Sequence, residues 1–414
     1  MNKNITRIGK RVAKRLGITK QAIRIQEKID RIGKQKRKYL IDSVMNYCYK
    51  NEIEIHEIYK SRENEVLLPA TWKTNQKQEI IEIVTPPIYR ADIINAIVFG
   101  SNDNIICGDY CLNDKIELPY SSKYNFANGA CVLFDQTEKI AEVYINSHPE
   151  EIKCGINMFG VASLNYYHWM IDILSRIEYI NHFPELMDVP LLVDEDALVR
   201  KTYREALEMF DTLHHPIISV ERNKGYMVEK LFYFSPCTFS GVYPIRGGLR
   251  ERSFDALSYS RNKESIEHFR KCAKSLMDNH EYTTNTKLFI DRGKSPSRLT
   301  NEREAMELAE RYGFSRFNPG EYSLKEQISI ISQAKIVIGD EGAAFTNSIW
   351  GNNCLFAIIE PSQWKDCLFS SIMHLSGNRC INLNAELLNS KNERDHIIDL
   401  PYFESFLCSE YCDV

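Results

Sequence analysis

Short apolar runs separated by polar breaks give the first account of this chain. Residues 335–361, KIVIGDEGAAFTNSIWGNNCLFAIIEP, hold two of them. Ile336, Val337 and Ile338 make a run of the length of a buried strand, stopped at Gly339. Small and polar residues follow, Thr346-Asn347-Ser348 can open a short helix, and a second buried run over 355–359 ends at Glu360-Pro361. Strand, turn, helix, strand is the unit of a parallel sheet. Small residues let backbone amides approach a ligand, and a helix amino end offers N–H groups to an anion. The stretch reads either as a seat for a nucleotide diphosphate or as a plain structural turn.

The same alternation extends in both directions. Residues 40–150 break into short β-type runs at 79–84, 94–99, 130–134 and 140–145, punctuated by Pro86-Pro87, Asn102-Asp103 and Asn113-Asp114. From 151 strands and helices alternate: a strand at 156–159, a loop at 160–165, an amphipathic helix over 167–180, a strand at 189–193, a helix over 197–210, and strands at 217–220 and 228–234. The turn-rich residues 235–250 read as a loop over a cleft, and 259–277 as a connecting helix. A second alternating region starts near Thr284, with a strand at 287–290 running into the polar loop DRGKSPSRLTN. A helix over 302–312 is ended by Gly313. A helix over 323–334 opens on an S-x-x-E capping box, Ser323 with Glu326. Past Glu360 the alternation fades, and 386–414 is expected to fold back over the first domain. The division is 1–39, an extension; 40–258, a mixed β then α/β domain; 259–283, a connecting helix; 284–385, a second α/β domain; and 386–414, a tail.

Charge changes the picture only at the amino end. Residues 1–38 carry fourteen Lys or Arg and two acids, net +12, whereas the chain as a whole is at −4. The remainder is therefore at −16 and has no reason to bind nucleic acid. Ile18, Ala22, Ile25, Ile29 and Ile32 recur at helical spacing, continued by Tyr39. The segment fits a basic amphipathic helix on anionic lipid, a heptad seam pairing with a second copy, or a solvated basic tail. No apolar run approaches the ~18 residues of a membrane span, and no apolar stretch follows the basic start, so a cytoplasmic protein is expected. Twelve cysteines are scattered as reduced core thiols would be. The pairs Cys107/Cys111 and Cys408/Cys412 could form a zinc site only by meeting in space.

Two sets of residues could carry chemistry. His168 and Asp172 lie four apart on one face of a helix start, as a general base with its orienting partner or as a structural pair. Arg292 and Arg298 flank a loop leaving the carboxyl end of a strand, where open α/β sheets bind ligands and where an arginine fork matches phosphate; the alternative is two solvated surface arginines. Asp291 could tether one of them. The glycine-rich dinucleotide and P-loop signatures, G-x-S-x-G and H-E-x-x-H are not found in a meaningful context, and neither is a D-x-D triplet.

The motifs N-Y-Y-H-W-M-x-D at 165–172, D-R-G-x(4)-R-x-x-N at 291–301, E-Q-I at 326–328 and G-D-E-G-A-A-F-T-N at 339–347 together resemble glycosyltransferase family 61, bacterial members of which act in capsular or surface polysaccharide biosynthesis. The resemblance covers about residues 80–375. It implies a GT-B-like α/β architecture, two Rossmann-like domains facing across a cleft, with the basic helical extension at the amino end. It implies inverting transfer from a nucleotide sugar, most simply a UDP-sugar, to a glycan or lipid-linked glycan, with no metal or other cofactor. Asp172 or His168 would take the acceptor proton. The donor would meet Arg292, Arg298, Asn301, Gln327, Glu341, Gly342, Ala343, Thr346, Asn347 and Glu360. One position departs: many members have His where this chain has Glu341. An ionised Glu341 repels phosphate and is expected to hold an arginine, or to accept from a sugar or ribose hydroxyl. A protein of this kind that has lost catalysis would be a glycan-binding or scaffold subunit at the membrane. Peripheral attachment through 1–38 and a homo-oligomer complete the expectations.

Overall fold

In the computed structural model, period-two alternation builds the carboxyl-terminal sheet. The structure describes residues 33–119, 121–239, 255–278, 286–293, 298–361, 364, 367–388 and 394–412. Five parallel strands stand in the order Ser315–Phe317, Lys287–Ile290, Ile336–Asp340, Leu355–Pro361 and Arg379–Leu387. Ile336, Ile338, Leu355, Ala357 and Ile359 enter one core with the helices Glu302–Arg311 and Leu400–Leu407. Val337, Phe356, Ile358, Leu288 and Ile290 point the other way, against Lys263–Met277, Leu324–Gln333 and the 3₁₀ helix Ala343–Trp350. A parallel sheet covered on both faces needs strands buried along their length, and every residue of Ile336–Asp340 is buried. The winding reverses between Lys287–Ile290 and Ile336–Asp340, and the crevice outside the carboxyl ends of two such strands is where ligands bind in open α/β sheets.

The amino-terminal sheet is mixed. Four parallel strands, Ile217–Val220, Leu191–Asp194, Glu150–Met158 and Gly225–Phe234, continue through the antiparallel Ile88–Phe99 into shorter strands. The two sheets share one apolar core. Ile156 and Met158 from the first and Phe356 and Ile358 from the second lie in the same cluster, with Trp169 and Trp350 fully buried between them. Phe210 stacks on Trp350 with ring centroids 6.0 Å apart.

Mixed α/β structure and most strands agree with the sequence reading, and the Ser323/Glu326 capping box forms in both directions, at 3.3 and 2.7 Å. Four elements differ. The expected helix does not run to residue 39: Lys34–Asp42 is a strand, paired with Ile140–Asn146 and Tyr110–Leu112, with Lys36, Arg37 and Lys38 exposed and Asp42 buried. Residues 1–32 lie outside the described residues, as does most of the loop 235–250. The helix expected over 167–180 is a π turn at His168–Ile173, a 3₁₀ turn at Leu174–Arg176 and an α turn at Ile177–Ile180. The helix over 197–210 breaks before Lys201, where Arg200 is extended. The tail packs chiefly on the carboxyl-terminal sheet and meets the first domain at Trp72, which lies edge-on to Phe406 and Tyr411 and accepts from Tyr402 Oη at its carbonyl. Phe403, Phe406 and Leu407 pack into the core of the carboxyl-terminal sheet, because that face would otherwise expose its strands. No described helix is long and apolar enough to cross a membrane.

Candidate active site

The switch point of the carboxyl-terminal sheet carries a cluster of charges. Asp340 ends its strand with a fully buried side chain. Arg292, at the end of the neighbouring strand, donates from Nη1 to Asp340 Oδ2 at 2.8 Å, and His396 donates from Nε2 to Oδ1 at 2.9 Å. Burial pushes the Asp340 carboxyl up, but the hydrogen bond and charge of His396 and the charge of Arg292 hold it below the usual carboxylate range. Glu341 is buried too and binds Arg298 at 2.5 Å and Arg394 at 3.0 Å. Glu341 thus holds arginines, and its charge is neutralised rather than aimed at a phosphate. Asp291 tethers neither Arg292 nor Arg298; it accepts from Arg316 and from the amide of Gly293.

In front of Arg292 opens a cleft of about 770 Å³. Gly342, Ala343 and Ala344, at the amino end of the Ala343–Trp350 helix, form one wall with Arg292 and Asp340. Gly342 lies directly against the Arg292 guanidinium: a Cβ there would be in van der Waals contact with it at 3.4 Å. Asn318, Gly320 and Tyr322 form a second wall, and Tyr166, Arg200, Lys201, Thr202 and Tyr203, all from the amino-terminal half, a third. The helix Lys201–Phe210 has neither a side-chain cap nor an acid in its first turn, so its amino end is electropositive toward the cleft. Arg200, Tyr166 and Tyr203 were not expected there. A cation just before a helix start was the available signal, and it was hidden by reading the helix as starting at 197.

The other expected donor residues take different places. Gln327 lines the cleft, yet its amide donates to the carbonyls of Pro319 and Tyr322 and accepts from Asn347. Asn347 is buried and accepts from Tyr166 Oη at 3.0 Å. Thr346 is fully buried. Glu360 is buried and accepts from Asn382. Asn301 clamps Ile398, donating to its carbonyl at 2.9 Å and accepting from its amide at 3.2 Å. These are scaffold contacts. Among the described residues no group of three or more His, Cys, Asp or Glu could hold a metal ion. Cys107 faces Tyr47 in the amino-terminal sheet and Cys408 faces Tyr312 beside the other.

His168 and Asp172 do meet. His168 Nδ1 lies 2.6 Å from Asp172 Oδ2, and Thr238 donates to Oδ1 at 2.8 Å. Burial pushes the Asp172 carboxyl up, but the hydrogen bond and charge of His168, with Lys115 and Arg261 behind them, bring it down to about 2. An ionised carboxylate only accepts, so Nδ1 carries a proton toward Asp172, and Nε2 is the nitrogen that can release or take a proton. The pair does not line the Arg292 cleft. It opens on a small cavity of about 40 Å³ built from the amino-terminal half, with Asp103, Asn104, Asn113, Lys115 and Arg176.

A family model described as Glycosyltransferase 61 matches residues 166–356. This stretch belongs to glycosyltransferase family 61. The matched stretch includes His168, Asp172, Arg292, Arg298 and the 341–347 turn, and the family is one of glycosyltransferases. Arg394, His396 and the loops of the small cavity lie outside the matched stretch. No curated protein matches the chain. Within the family 61 region Gly293 has φ +58°, and a Cβ there would meet Asn318 Nδ2 at 2.5 Å. Gly293→Ala is expected to cost about 1–2 kcal/mol, visible as a lowered thermal midpoint.

Proposed function

We propose that the chain is an inverting glycosyltransferase of GT-B-like build that moves a hexosyl or pentosyl group from a nucleotide sugar, most simply a UDP-sugar, to a growing glycan. The observation that carries this reading is the large cleft at the switch point, where Arg292 lies against Gly342 at an uncapped helix amino end. Arg292 and the amides of 342–344 hold the diphosphate, and their positive charge stabilises it as it leaves. Arg298, bound to Glu341, supports this field from behind. His168 takes the proton of the acceptor hydroxyl at Nε2, and Asp172 fixes the tautomer. Because the arginine and the amides supply the charge, the reaction is metal-independent. Nucleotide affinity and transfer are expected to be unchanged in excess EDTA; loss of both on chelation, restored by a divalent cation, would refute it.

A second reading is a glycan-binding subunit without transfer activity. It is favoured by the placement of His168 and Arg292 on different cavities. Incubation with a panel of nucleotide sugars separates the two, since a transferase hydrolyses its own donor slowly without acceptor and a binding subunit hydrolyses none.

The basic segment 1–38 suits a cytoplasmic enzyme held at the inner membrane surface, where capsular or other surface polysaccharides are assembled on lipid carriers. Deletion of residues 1–32, which spares the Lys34–Asp42 strand, is expected to abolish sedimentation with anionic vesicles, and salt to weaken it. If deletion leaves sedimentation intact and turns an oligomer into monomers, the segment is an oligomerisation seam instead.

A further inference from the structure

The cavity beside His168 has a size and a lining that point to a ligand class. A water needs roughly 10–15 Å³ by the same measure, so about 40 Å³ holds a few waters or one short polar arm, and not a whole sugar ring. Its amides are half spent. Asn104 donates once, to Phe126 O at 2.9 Å, and accepts once, from Asn113 at 2.9 Å. Asn113 also accepts from the amide of Lys115 at 3.0 Å. An amide side chain has two donors and two lone pairs, so each keeps one of each. Lys115 spends one N–H on Asp103 at 2.9 Å. Arg176 is 6% exposed, gives Nη1 to the carbonyls of Asn157 and Phe159, and leaves Nε with no partner among the described residues. The cations Lys115 and Arg176 balance the carboxylates Asp103 and Asp172. A carboxylate or phosphate entering here would meet two carboxylates at close range. A hydroxyl, both donor and acceptor, matches what the lining has left.

We propose that this cavity is an acceptor subsite that reads a hydroxymethyl or ring hydroxyl of a neutral sugar and thereby holds the reacting hydroxyl at Nε2 of His168. The inference rests on the transferase reading above and adds the class of acceptor. Asp103 and Lys115 act as specificity residues, and Gly160 makes room for Asp103, since a Cβ there would come 2.9 Å from its Oδ1.

Saturation-transfer difference NMR on the full chain tests it, with methyl hexopyranosides, the matching methyl uronosides and hexose 6-phosphates as probes. Neutral glycosides are expected to bind and the charged probes to bind more weakly. Lys115→Met, and Asn125→Leu at the exposed rim, should each weaken neutral binding by about tenfold, with UDP affinity, measured by calorimetry on the same samples, unchanged. Charged probes binding as well as neutral ones, or no glycoside binding by a chain that binds UDP, overturns the subsite and leaves the transferase reading standing. Neutral binding, lost in the variants, by a chain that neither binds UDP nor hydrolyses UDP-sugars supports the subsite and overturns the transferase reading. If Lys115→Met does not fold, Asn125→Leu decides the matter alone.

Discussion

His168→Ala is expected to lower sugar transfer by about 10²–10⁴-fold, the usual contribution of a general base, with nucleotide affinity nearly unchanged. The roles follow from the environment of each group. Asp172 has both oxygens engaged, by His168 and Thr238, and its carboxyl lies at about 2. It stays ionised at any working pH and is too weak a base to take a hydroxyl proton. In the proposed reaction it keeps the Nδ1 proton in place so that Nε2 is free. Asp172→Asn should therefore also cut transfer steeply, because an amide can donate to Nδ1 and turn the proton to the wrong nitrogen. The same depression has a sign for stability. The ionised pair stabilises the fold above about pH 4, and that contribution is lost as pH falls toward 2. Any acid limb of a pH–rate profile between 5 and 8 thus belongs to a group other than Asp172. If both variants keep normal turnover and an unmoved pH profile, the pair is structural.

Arg292→Ala is expected to weaken nucleotide diphosphate binding by about 1.5–3 kcal/mol, the worth of a charged hydrogen bond. Asp340 keeps His396 in that variant, so the fold survives the loss. Arg292→Lys should recover only part of the affinity, since a point charge replaces a two-pronged fork. Arg298→Ala should cost less, because Arg298 is spent on Glu341 and that carboxylate retains Arg394. Calorimetry with UDP reads all three. Equal affinity for wild type and Arg292→Ala would move the diphosphate elsewhere in the cleft.

The carboxyl-terminal sheet was legible because a doubly covered parallel strand must be apolar along its length, as Ile336–Ile338 and Leu355–Ile359 are. Arg379–Leu387 was not, because Asn382 and Asn384 interrupt it; Asn382 is buried and answered by Glu360, a partner that spacing does not reveal. Lys34–Asp42 was misread because its buried positions are only Tyr39 and Asp42, on opposite faces, so no period-two alternation marks it as a strand. Motifs identified residue types at the site but not their direction. Gln327, Asn347 and Asn301 look like ligand contacts in sequence, yet their polar atoms are turned to the protein, whereas Arg394 and His396, far along the chain, complete the charge cluster.

The apolar cluster common to both sheets limits how this molecule can be rebuilt. Trp169, Phe210, Phe345 and Trp350 fill one another's space across the boundary, so neither half has a surface of its own to present to water. The chain should melt in a single calorimetric transition, and a half expressed alone should aggregate through the face it has lost. Exchanging either half for that of a relative would have to carry these aromatic residues as a set. Recombination at the connecting helix Lys263–Met277, the obvious place in the sequence, cuts through that shared interior, since Ile266, Phe269 and Ala273 belong to it.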